Sequence, residues 1–130
     1  MKLESYETLE VVEAGYQGDA ASPSLDDTLA LVQDSTVFVL LLGWRYGYVP
    51  EGQTKSVVEL EYDTAKEKGL VMLCFIVDER AEVPGGLVET GENAQALRKF
   101  KGRVASENVV RRFSDPTRLG EEVASALLIW

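Results

Sequence analysis

The sequence predicts an α/β fold: a three-layer, doubly wound, mainly parallel sheet formed as one domain over residues 1–130. Three observations carry this. "TVFVLLLG" (residues 36–43) and "LVMLCFIV" (residues 70–77) are continuous apolar runs, the pattern of strands covered on both faces. A capped helical segment precedes each run. Strand and helix then alternate along the chain, which is the order that builds a parallel sheet flanked by helices.

The elements follow in order. "YETLEVVEAG" near the start reads as a strand over Leu9–Val12. "SPSLDDTLALVQDS" reads as a helix, with Ser24 as N-cap, Asp27 three residues on, and Leu25, Leu29 and Val32 on one face. The first buried strand follows it. "SVVELEYDTAKEKG" is a second helix, opening at Ser56 and stopped by Gly69. After the second buried strand, residues 78–92 hold Pro and three Gly and read as a loop. "NAQALRKFKGRV" is a short helix and "NVVRRF" a short outer strand. "SDPTRLGEEVASALLIW" is a helix with Ser114 or Asp115 as cap, Pro116 in its first turn and a Leu119, Val123, Leu127 stripe.

Composition removes several chemistries. With no histidine, the chain supplies no Ser-His-Asp triad, Cys-His dyad or histidine-ligated metal; no metal site is expected. The one cysteine, Cys74, lies among apolar neighbours and reads as a buried, inert thiol. A net charge of −9 repels a phosphate backbone, so nucleic acid is not an expected partner. No apolar run approaches membrane-spanning length. The N-terminus lacks a signal-peptide pattern, so a cytoplasmic protein is expected.

In doubly wound folds, ligands sit beyond the carboxyl ends of the parallel strands. The stretch "GWRYGYVPEGQTK" leaves such an end. Gly43 and Gly47 permit tight turns and close backbone approach. Arg45 could hold a phosphate or carboxylate, or stack on Trp44 or Tyr46. Tyr46 could line a pocket or simply pack. Two glutamates follow. Ser56 and Glu59 match the S-x-x-E capping box, which gives Glu59 a local structural use. Glu61 projects between Val57 and Ala65, at the edge of the stripe of Val58, Tyr62, Ala65 and Gly69, while Asp63, Lys66 and Glu67 point the other way. A carboxyl at that edge is either a tuned functional acid or a rim group that reaches water or pairs with Arg45.

The order of an acidic-Ser step, a buried strand, G-x-R-Y-G, S-[VI]-x-E-x-E-Y-x-x-A-x-x-x-G and a second buried strand resembles the domain-of-unknown-function family 4062. "ALRKFKGRV" and "RRFSDPTRLGEEVASAL" resemble its C-terminal part. That family is considered similar to TIR domains and to nucleoside deoxyribosyltransferase-like folds, and often precedes ATPase, NACHT or repeat regions in bacterial signalling and defence proteins. The resemblance implies a TIR-like or flavodoxin-like fold. It also implies that Glu61, followed by Ala65, is the catalytic acid of N-glycosidic chemistry, holding or attacking the ribose of an NAD-like or nucleoside substrate. Gly43, Arg45, Tyr46, Gly47, Ser56 and Glu59 would line the pocket. No cofactor is fixed by this; NAD or another nucleotide is the implied ligand.

Members of the family begin with a strand ending in Ser-Ser that has no counterpart here, and the chain stops inside an apolar stripe. The expectation is therefore a domain lacking its first strand, whose exposed edge recruits a protein partner or a second copy. Three functions are in view: a TIR-like signalling, sensor or interaction module with a nucleotide pocket; an NAD or nucleoside N-glycosidase using Glu61; and a structural or oligomerisation domain.

Overall fold

A computed structural model describes residues 24–78, 80 and 89–129. The strand expected near Leu9–Val12 and most of the loop after residue 78 lie outside the described residues. The described elements are α1 (Leu25–Gln33), β1 (Val37–Leu42), α2 (Val57–Lys68), β2 (Val71–Val77), α3 (Gly91–Glu107), β3 (Val110–Phe113) and α4 (Pro116–Ile129).

The three described strands form one parallel sheet in the order β1-β2-β3. Val37 pairs with Val71 and Leu42 with Ile76 across the first ladder; Cys74 pairs with Val110 and Val77 with Phe113 across the second. This is the expected α/β doubly wound class. Right-handed crossovers taken in the same direction put α2 and α3 on one face of the sheet. Leu40, Leu42, Cys74 and Ile76 point to that face and meet Tyr62 of α2 and Leu97, Phe100 and Val104 of α3. Tyr62 and Phe100 meet edge-on, 5.5 Å between centroids. Phe75 and Val77, on the opposite face of β2, are also buried, which is why this strand reads as continuously apolar.

The helix ends are where the sequence places them. The Ser24 hydroxyl accepts the Asp27 N–H at 3.1 Å, and the Ser56 hydroxyl accepts the Glu59 N–H at 3.2 Å. Gly69 ends α2 in the left-handed region (φ 72°). Its N–H donates to Lys66, and the Leu70 N–H donates to Ala65, both at 3.1 Å. These two bonds form a Schellman motif, which requires the positive φ that glycine adopts without strain. α3 is longer than the short helix expected. It opens at Gly91, inside the expected loop, and its last turn is held because Glu107 takes the Tyr62 hydroxyl proton donor at 2.7 Å. Among the described residues, no helix is long and apolar enough to cross a membrane.

Candidate functional site

The segment between β1 and α2 folds back over the start of α2. The Tyr48 carbonyl accepts the Val57 N–H at 2.9 Å. Gly47 makes the reversal at φ 98°, which a side chain would strain. Gly43 has no such need: its φ is ordinary and a Cβ there would meet open space. The turn drives Tyr46 inward until it is 3% exposed, its ring edge-on to Phe100 at 6.4 Å. Burying a phenol demands partners for its hydroxyl. The Tyr46 hydroxyl donates to Glu59 Oε1 at 2.5 Å and accepts the Ser56 N–H at 3.1 Å.

This geometry modifies the capping box. In the usual form, the N3 carboxylate accepts the N-cap N–H directly. Here the Tyr46 hydroxyl stands between them, relaying the contact and leaving Glu59 Oε2 free for Arg103, 2.8 Å away. Arg103 also reaches Asp63 and lies 4.9 Å from the centre of the Tyr62 ring. Asp63 takes Lys55 at 2.8 Å as well. Burial raises the pKa of Asp63, but the Lys55 and Arg103 contacts outweigh it and hold the carboxyl below its ordinary value. The Tyr46 phenol is pushed up, by burial first and then by its bond to Glu59. Glu107 closes the cluster: it accepts from the Tyr62 hydroxyl, pairs with Lys66 at 3.0 Å, and its carboxyl is held low by those two contacts.

Five residues of this network carry no role legible in the sequence: Lys55, Asp63, Lys66, Arg103 and Glu107. Asp63 was expected to point away from the buried stripe. It does lie on the flank away from Glu61, half-buried, and there it meets Arg103 of α3. Arg103 carried one legible sign, since it adjoins the buried stripe of Phe100 and Val104.

Arg45 is turned outward, its side chain 56% exposed, and pairs with Glu89 at 3.3 Å. Glu89 also accepts the Tyr46 N–H at 3.0 Å. Arg45, Gly47, Tyr48, Val49, Glu89 and Asn93 line an open cleft of about 510 Å³. Trp44 is half-buried, with Lys101 5.9 Å from its ring centre.

Glu61 stands apart from all of this. It is 3% exposed, not a rim group, and pairs with neither Arg45 nor any other described residue. Its Oε2 is buried without a hydrogen-bond partner among the described residues. Burial alone pushes its carboxyl up from 4.5 to about 7. It does not line the Arg45 cleft. The structure thus gathers Tyr46, Ser56 and Glu59 into one network, places Gly47 and Arg45 at the cleft beside it, and leaves Glu61 on a separate stripe of α2. Among the described residues, no cluster of three or more Cys, Asp or Glu is placed to hold a metal.

Comparison with protein-family models matches residues 4–128 to DUF4062, a domain of unknown function. The chain belongs to the DUF4062 family. No curated protein and no solved structure matches it. In this DUF4062 domain, the segment from Gly43 to Gly69 holds the network, and its two buried glutamates, Glu59 and Glu61, occupy opposite physical situations.

Proposed function

We propose that this DUF4062 domain is a TIR-like signalling module, a sensor or interaction unit that responds to a nucleotide-type ligand, with Glu61 as the ligand-facing carboxyl. The observation that carries this reading is the contrast between the two glutamates. Glu59 is fully engaged by Tyr46 and Arg103. Glu61 is drier still and has an orphaned oxygen. A buried carboxyl without partners costs stability, and such groups concentrate where a protein binds or transforms something. Glu61 is enclosed and lies outside the open cleft that Arg45 lines, so a ligand reaches it only when the elements around α2 part, which fits a sensor better than a turnover site.

A second reading, NAD or nucleoside N-glycosidase activity, is favoured by one specific observation. A carboxyl whose pKa is raised to about 7 is partly protonated at neutral pH and can serve as an acid. The protein-partner part of the proposal is supported by Leu41, which is 49% exposed on the sheet face opposite α2 and α3. A parallel sheet is ordinarily covered on both faces.

Titration calorimetry with NAD and a set of nucleoside phosphates tests the sensor reading; saturable heat with one of them is expected. Chromatography of the same mixtures tests the second reading. Release of nicotinamide or free base by wild type, lost in Glu61→Gln, would make the domain an enzyme. No heat and no release from any nucleotide would end both.

A further inference from the structure

We propose that the seam between α1 and α2 is a proton-operated latch: α1 docks on α2 while Glu61 is protonated and loosens when Glu61 ionises. The inference goes beyond ligand binding and stands whether or not a nucleotide binds.

The geometry comes first. α1 packs chiefly on α2, and the residues it buries are Thr28 and Val32. On α2, Glu59 and Asp63 face Arg103 of α3, and Tyr62 enters the sheet core. By elimination, the remaining buried stripe of α2, Val57, Glu61 and Ala65, is left to the flank on which α1 packs. The seam therefore holds two buried polar groups with unpartnered oxygens, Thr28 Oγ1 and Glu61 Oε2. Only Glu61 can carry a charge. An unpaired charge on this buried carboxyl is far costlier than a neutral carboxylic acid in the same place. Parting the two helices is the direct way to hydrate it.

Among the described residues, no neighbour offsets that charge. On α1, Asp26 and Asp27 are exposed, and they are of the wrong sign to help. β1 offers no titratable side chain. On α3, Arg103 is taken by Glu59, Asp63 and Glu107, and Glu107 by Tyr62 and Lys66. On α2, Glu59, Asp63 and Lys66 are engaged with those same partners. The carboxyl of Glu61 is raised by burial, in keeping with no cation beside it among the described residues.

The test is amide hydrogen exchange of residues 29–33, corrected for intrinsic rates and referred to the amides of β2, at pH 6 and pH 8. In wild type, the opening of α1 should rise roughly tenfold over that interval. In Glu61→Gln it should change less than twofold. Equal pH dependence in both proteins, or none in wild type, would overturn the latch. Should the variant fold poorly, the side-chain carboxyl carbon of Glu61 in wild type gives an independent answer by nuclear magnetic resonance. A titration midpoint above 6 supports the latch, and one near 4.5 overturns it.

Discussion

Replacing Glu61 with Gln should change how the stability of this domain depends on pH, and the size of the change can be worked out. The folded carboxyl titrates at about 7 against 4.5 when unperturbed. Between those values the folded state holds a proton that the unfolded state has released. Stability therefore falls as pH rises from 4.5 to 7 and is level above that. Each pKa unit corresponds to about 1.4 kcal/mol, so the full loss is about 3 kcal/mol, of which about 2.5 falls between pH 5 and pH 8. Glu61 is 3% exposed, so solvent screening removes little of this. The interval is also clean. There is no histidine to titrate within it. Asp63 and Glu107, whose carboxyls are held low, lose their contributions only as pH falls below the ordinary carboxylate range. Urea denaturation at pH 5 and pH 8 measures the effect. Wild type should lose about 2.5 kcal/mol, and Glu61→Gln, a neutral isostere, should lose less than about 0.5 kcal/mol. A flat wild-type profile, or an equally steep one in the variant, would refute the reasoning.

Three further outcomes are expected. Tyr46→Phe removes the hydroxyl that joins Ser56 to Glu59 and strands two buried groups; a loss of about 1–3 kcal/mol in urea denaturation is expected. Arg103→Ala leaves Glu59 and Asp63 facing each other, and should cost about 2–4 kcal/mol; Arg103→Lys should recover less than half of it, because one ammonium cannot span the three carboxylates the guanidinium reaches. Gly69→Ala should cost about 1 kcal/mol in the same assay, a purely conformational effect, since nothing crowds a Cβ there.

The fold was legible where a local cause fixes it. The runs from Val37 to Leu42 and Val71 to Val77 read as strands because they are apolar on both faces, which β2 buries fully at its carboxyl end and β1 on one face, leaving Leu41 half-exposed. Ser24, Ser56 and Gly69 marked helix ends because capping is decided within a few residues. The site was legible only in part, for the complementary reason. Ser56-x-x-Glu59 signalled a cap, but the hydroxyl of Tyr46, ten residues earlier, decides how that cap is made. The Arg103 contact to Glu59 spans 44 residues and depends on how α3 lies across α2, which no spacing in the sequence encodes. Periodicity placed Glu61 at the edge of the apolar stripe. Its full burial depends on how the elements pack around α2, a tertiary fact that spacing does not encode.

The contrast between Glu59 as structure and Glu61 as function is tested most directly by ligand-dependent thermal shift at pH 7. Wild type, Glu59→Gln and Glu61→Gln would be measured with NAD and a nucleotide panel. The expected result is a ligand that raises the melting temperature of wild type but not of Glu61→Gln, with Glu59→Gln melting lower than wild type yet still shifted by the ligand. A shift of equal size in Glu61→Gln, or no shift in wild type with any nucleotide, would contradict the assignment of Glu61.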